Sequence, residues 1–433
     1  MSTVLFVLAF LVAAPQGRPQ GNAPTGDTTA ESQIVPSPAV ETPLDDLLAE
    51  AARNNPDIQA AEQTWQASTQ VPSQVSTLPD PEITVQHMAV GSPIPFWHFT
   101  TSNFAYVGLG VSEHLPFPGK LALRGRAAAQ ASREAHAALE AVQRRVRADL
   151  KDAYAQLGAV QQALAILTRD QQLLDQVEQI AEARYRVGQG DQQSVLEAQL
   201  QRTKILRDEA LRRQDRETLE AQLKQVLGRS QDSPDVTAAP PVETRLGTDL
   251  TTLLHQVATD DPAVLGRQAA IGAGEARVAI ARKDFNPDFT AAFMWQHTAP
   301  AFPDYYMFTF GVSVPVFQGR RQAPALAEAT AQLASARAGY TSQVQMAQAA
   351  LRDRFARAQT SARLLTMYRE GLLPQARAAF QAGLASYQSG RLDFQSLIDS
   401  FSDVLTLDTA YWQTLADHNS AVARIEQITG VTP

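Results

Sequence analysis

Apolar residues along this chain recur with two different periods, and the order in which those periods alternate occurs twice. Downstream of Pro118-Gly119 the spacing is three and four: Leu139, Val142, Val146, Leu150, Ala153, Leu157, Val160, Leu164 and Leu167 form one stripe, continuing to Val187. At 1.5 Å per residue a helix over about 119–187 rises roughly 100 Å, where an ordinary helix has about 11 residues. Such a length predicts a coiled-coil-like rod or tube. The same pattern spans about 320–389, where Gly371 and Pro374 predict a kink. Each long helix ends at a glycine-containing tip and returns as a second helix, over about 191–227 and about 393–429.

Ahead of each long helix the period drops to two. Strands are predicted over about 82–90 and 104–114, and again over about 287–297 and 305–315. Ile83, Val85 and Ala89 alternate with Glu82, Thr84, Gln86 and Met88; Phe289, Ala291, Phe293 and Trp295 alternate with Asp288, Thr290, Ala292, Met294 and Gln296. Each strand therefore carries one apolar and one polar face. One further helix precedes each strand pair, over about 44–76 and 250–284.

The two halves match in sequence as well as in pattern, which marks an internal duplication. Asn55-Pro56-Asp57-Ile58 corresponds to Asp261-Pro262-Ala263-Val264, and Pro81-Glu82-Ile83-Thr84 to Pro287-Asp288-Phe289-Thr290. Gly110-Val111-Ser112 corresponds to Gly311-Val312-Ser313, Gly119-Lys120 to Gly319-Arg320, and Leu227-Gly228 to Thr429-Gly430. The first repeat is placed at 44–228, the second at 248–433, and a Pro-rich linker at 229–247 between them.

The 433 residues include 44% hydrophobic side chains, enough for a core, and no cysteine. Disulfides, thiolate zinc sites, a cysteine nucleophile and a lipid-modified N-terminal cysteine are thereby excluded. With 37 basic against 45 acidic residues the net charge is −8, which disfavours a nucleic-acid partner. Residues 1–14 hold an apolar run, Val4–Ala14, too short to span a bilayer and suited to a secretory signal; no basic residue precedes it. Residues 15–43, with six prolines among Gly, Ser and Thr, read as a flexible leader.

Four strands of roughly ten residues suit a membrane-spanning barrel wall, yet cannot close one: the smallest barrels have about eight strands, and lipid tolerates no open edge. Three copies would supply twelve strands around an aqueous lumen and twelve helical segments continuing it as a tube. The implied function is conduction. Aromatic residues in the first-copy loop (Phe96, Trp97, Phe99, Phe104, Tyr106) and the second (Trp295, Phe302, Tyr305, Tyr306) resemble an interfacial girdle. The alternative is a periplasmic or secreted coiled-coil scaffold with a small sheet and no pore.

The duplicated helix–strand–strand–helix–helix plan and the tip motif, Tyr185-Arg-Val-Gly188-Gln-Gly-Asp191 and Tyr387-Gln-Ser-Gly390-Arg-Leu-Asp393, resemble the TolC-like outer membrane efflux proteins over about residues 44–432. The resemblance implies a mainly α fold with a four-stranded β contribution, assembled as a trimer: a 12-stranded transmembrane β-barrel continued by a long periplasmic α-helical barrel. It places the linker at the equator of that tube. It implies a periplasmic adaptor (membrane fusion) protein and an inner-membrane pump, with the RND type expected, and export of heavy metals, drugs, proteins or other solutes. Outer membrane lipid would surround the barrel.

Carried over position by position, the acids that ring the periplasmic aperture in the family fall on Ser396 and Asp399, with Asp403 one turn further as a possible substitute. Adaptor contacts fall on the tips: Val187, Gly188, Gln189, Gly190 and Asp191, and Ser389, Gly390, Arg391, Leu392 and Asp393. Leu78-Pro79-Asp80-Pro81-Glu82 and Pro116-Phe117-Pro118-Gly119-Lys120 look like junctions of the family's heavy-metal branch. His87-Met88 and Met294 with His297 are candidate soft-metal contacts in the lumen, or plain wall residues. No cofactor or resident metal is implied. The chain has neither a Gly-x-Ser-x-Gly elbow nor a His-Glu-x-x-His motif, so no enzyme is expected.

Overall fold

Each half begins with two helices where the pattern predicted one. In the computed structural model, which describes residues 41–89, 94, 104–298 and 302–431, α1 (Leu44–Asn54) and α2 (Pro56–Ser76) are separated by Asn55. A residue before proline is pushed out of the helical region, and Asn55 sits at φ −65°, ψ 123°. Its side chain then caps α2 by accepting from the Ile58 N–H at 3.1 Å and donates to the Val226 carbonyl at 2.7 Å. The second half repeats the device: α5 (Leu250–Asp260) stops at Asp261, which caps α6 (Pro262–Lys283).

The four strands, β1 (Glu82–Met88), β2 (Tyr106–Leu115), β3 (Asp288–Thr298) and β4 (Tyr305–Ser313), form one antiparallel sheet in that order. The register aligns Val85, Leu109, Trp295 and Tyr306 in one row and Thr84, Gly110, Met294 and Met307 in the next. One face is therefore apolar, with Phe308 81% exposed, and the other carries Thr84, Gln86, Thr290, Gln296, Thr309 and Ser313. This segregation corrects the soft-metal expectation. His87 and His297 lie on the apolar face, opposite Met88 and Met294, so neither His–Met pair converges on one face of the sheet. His297 instead approaches Asp304 at 2.7 Å, and Trp295 donates to the same carboxylate at 2.9 Å. Strand ends differ from expectation by one or two residues: β1 stops at Met88 and β4 at Ser313. Residues 1–40, residue 90 and the loop aromatics Phe96, Trp97 and Phe99 lie outside the described residues.

From the sheet, α3 (Lys120–Arg186) runs for 67 residues and returns as α4 (Gln192–Leu227). The second copy is not continuous. α7 (Gln322–Met367) passes through a five-residue π-turn, Tyr368–Leu372, before α8 (Leu373–Gln388), and α9 (Phe394–Thr429) returns. Gly371 lies in that turn and Pro374 is the second residue of α8. Proline has no N–H to give and crowds the carbonyl four residues back, so the wider turn absorbs the misfit. Among the described residues no helix is long and apolar enough to cross a membrane.

The inter-repeat segment is a packed element, in contrast to its Pro-rich composition. Val236 and Ala238 are buried against Leu150, Leu157, Leu223 and Leu227. Gly158 of α3 admits it: a Cβ there would lie 2.9 Å from both the Ala239 carbonyl oxygen and Pro241 Cδ. The Tyr154 hydroxyl accepts from the Ala239 N–H and donates to the Thr42 carbonyl, each at 2.9 Å. Thr42, placed in the leader by the sequence, is thus tied to the folded body.

Midway down the tips' side, Asp170 of α3 and Asp408 of α9 are 2% and 3% exposed. Arg169 bridges them at 2.7 and 2.9 Å, and Arg377 of α8 reaches Asp408 at 2.6 Å. Asp170 Oδ2 has no partner. Burial pushes the Asp170 carboxyl above its ordinary value of 3.8, against the opposing bond from Arg169. The folded state therefore holds this proton more tightly than the unfolded chain, so the stabilisation is complete below about pH 4 and is lost as pH rises through the folded value. The melting temperature of Asp170→Asn relative to the parent should accordingly rise with pH; a constant difference would show that folding leaves the Asp170 carboxyl unshifted.

Candidate functional site: the hairpin tips and one face of α9

The two tips are built by the same backbone solution. Gly188 and Gly390 adopt φ of 74° and 72°, the left-handed conformation that lets a helix end and reverse without a Cβ penalty. The Gly188 N–H reaches the Tyr185 carbonyl at 3.0 Å and the Gln189 N–H that of Arg184 at 2.8 Å; Gly390 and Arg391 repeat both bonds onto Tyr387 and Ser386 at 2.9 Å. Asp191 then caps α4 through the Ser194 hydroxyl and N–H, at 2.6 and 2.8 Å. Asp393 caps α9 through the Ser396 N–H and hydroxyl, at 2.9 and 2.8 Å. The bond from the Ser194 hydroxyl, more than its N–H, holds Asp191 below the usual carboxylate range, and the Ser396 N–H does the same for Asp393.

The expected tip residues are exposed apart from Leu392, which is half-buried against the cluster between the hairpins. What brings the tips together is Arg184, which the repeat motif did not single out. Its guanidinium donates to the Tyr387 carbonyl, bonds the Gln189 carbonyl at 3.3 Å, and lies 4.8 Å from the Tyr387 ring centre. Tyr387 is 4% exposed and packs edge-on against Phe394, whereas its counterpart Tyr185 faces solvent. The signal in the sequence was an asymmetry: arginine precedes Tyr185 where serine precedes Tyr387.

Ser396, Asp399 and Asp403 all lie on one exposed face of α9. Ser396 is committed to the Asp393 cap, and Asp399 accepts from Gln395 at 2.8 Å. Two carboxylates one turn apart therefore face outward from the bundle close to the tip. Among the described residues no group of His, Asp and Glu is arranged to hold a metal ion.

A family model described as "Outer membrane efflux protein" matches residues 47–229 and 253–431, covering both repeats. The chain belongs to the outer membrane efflux protein family. Its fold is that of solved TolC-like outer membrane factors. The outer-membrane channel OprN superposes with a TM-score of 0.76 at 20% identity, covering 89% of each chain. CusC superposes with a TM-score of 0.78 at 17% identity, covering 91% of this chain and 93% of that one. VceC from Vibrio cholerae gives 0.76 at 17% identity, covering 89% and 96%. A search of curated proteins finds no match. As an efflux family member the chain has its four-stranded sheet at one end and its hairpin tips at the other, the arrangement of an outer membrane channel with a periplasmic helical part.

Proposed function

We propose that this efflux family member is the outer membrane channel of a tripartite export system, working as a homotrimer. The observation that carries the reading is the sheet: one face mainly apolar apart from His87, Glu113 and His297, one face mainly polar, and outer edges of β1 and β4 with no strand beside them among the described residues. Lipid does not tolerate such edges, and three sheets placed edge to edge remove them while giving twelve strands. The hairpins then continue the lumen into the periplasm for roughly 100 Å. The tips Val187–Asp191 and Ser389–Asp393 would receive a periplasmic adaptor, and an inner-membrane pump of the RND type would supply cargo for passage outward. Heavy metals and drugs are the cargo classes proposed, the former on the Pro116–Lys120 junction. The test is direct: the detergent-extracted protein should run as a heat-resistant trimer and conduct ions in planar bilayers. A monomer soluble without detergent would sink the channel and favour a scaffold.

Asp399 and Asp403 supply the proposed aperture charge, with Ser396 contributing through its cap. Three symmetry-related pairs of carboxylates at a constriction concentrate cations and repel anions. Neutralising both, Asp399→Asn with Asp403→Asn, should weaken block by multivalent cations on the order of tenfold, by analogy with focusing in charged clefts. Unchanged block and selectivity would remove this face of α9 from the pore.

A further inference from the structure

Lys120 opens α3 at the base of the sheet, and its side chain is 4% exposed. Its ammonium reaches Asp288 at 2.9 and 3.1 Å and Asp284 at 3.1 Å. The Phe117 N–H donates to the same Asp288 carboxylate at 2.7 Å, and Lys283 lies over the Phe117 ring. This clasp fastens the end of β2, from the first repeat, to the start of β3, from the second.

The duplication supplies both halves of the clasp a second time, on opposite edges of the sheet. Arg320 matches Lys120 in the repeat, after a turn closed by a like bond: the Lys120 N–H bonds the Phe117 carbonyl at 3.1 Å and the Arg320 N–H bonds the Phe317 carbonyl at 3.0 Å, although Gly119 is left-handed where Gly319 is not and α7 opens two residues further on. Glu82, at the start of β1, stands where Asp288 does. Neither side chain has a partner among the described residues, and both are exposed. Val316 and Phe317 are 73% and 71% exposed, whereas Phe117 is half-buried. Leu78, exposed, occupies the position of Asp284, so the β1 edge offers one carboxylate beside an apolar residue.

We propose that Arg320 of one copy clasps Glu82 of the next copy of this chain, with Leu78 of that copy covering Phe317. The pairing rests on the trimeric-channel reading and names its joint. The charges are opposite, the edges carrying them are those that ring closure brings together, and the geometry is already realised once within the chain. Each seam around the barrel base would then be held by the same device, alternately within and between copies.

The chain has no cysteine, so introduced thiols stand alone. Glu82→Cys with Arg320→Cys, treated with a short bifunctional thiol reagent, should give covalent dimers and trimers on a denaturing gel, and either single variant only monomers. Lys120→Cys with Asp288→Cys should crosslink within one chain and leave the monomer band. Glu82→Arg or Arg320→Glu should each lower the temperature at which the trimer dissociates, and combining them should restore it. Double-cysteine trimers that assemble by native mass yet run as monomers after crosslinking overturn the pairing and leave the trimer standing, as does an exchange that fails to restore. If the parent protein forms no trimer, the channel reading itself falls.

Discussion

Replacing Gly228 with valine should cost about 2 to 5 kcal/mol and leave little folded protein. Gly228 ends α4 at φ 72°, and a Cβ there would be driven into the Asn54 carbonyl oxygen and to 3.4 Å from Pro56 Cδ. A β-branched residue at positive φ is strained wherever it occurs; here the obstacle is also backbone, which has no rotamer to yield. The site is where α4 passes the break between α1 and α2, beside the Asn55 bond to Val226. Moving the backbone therefore also uncouples that cap and the adjacent Glu50–Arg229 pair at 2.6 Å. Yield and melting temperature in detergent check the prediction, with Gly228→Ala intermediate; a valine variant melting with the parent would contradict it.

Truncating Phe401 to alanine should destabilise the tip end by about 3 to 5 kcal/mol. Phe401 is buried between Phe380 of α8, ring centres 5.8 Å apart, and a layer of Leu174, Ile205 and Leu397. That layer is shared by both hairpins, so a cavity there loosens α8 and α9 against α3 and α4. Amide exchange and proteolysis at residues 187–191 and 389–393 should accelerate, with the sheet unaffected. Uniform protection along the chain would show that the tips are held from elsewhere.

Much of this was legible because long elements repeat their period many times. Leu139 to Leu167 announce α3 regardless of neighbours, and alternation from Phe289 to Trp295 announces β3 and its faces. The break at Asn55 was signalled by Pro56, but the apolar stripe continues across it, so one helix was expected. The burial of Val236 and Ala238 was hidden because Pro-rich composition reports what a segment can do alone, and Gly158, which admits it, lies far off in sequence. Lys120 and Asp288 are 168 positions apart and meet only through the fold. Of the site, the glycines and capping acids of the tips were visible as a repeated motif. Arg184 was not, because it breaks the repeat.

The π-turn at Tyr368–Leu372 has a consequence for symmetry. A helix turns about 100° per residue, so the extra residue in a wide turn re-phases everything after it. α3 is uninterrupted over the matching stretch, and α7, the turn and α8 together run as long as α3. Two hairpins of equal length thus present different faces below one level. In the proposed ring of three copies, like faces of the hairpins would recur close to sixfold above that level and only threefold below it. An aperture formed below that level would draw its charge from three matching helix faces, not six, half of what perfect duplication would place there.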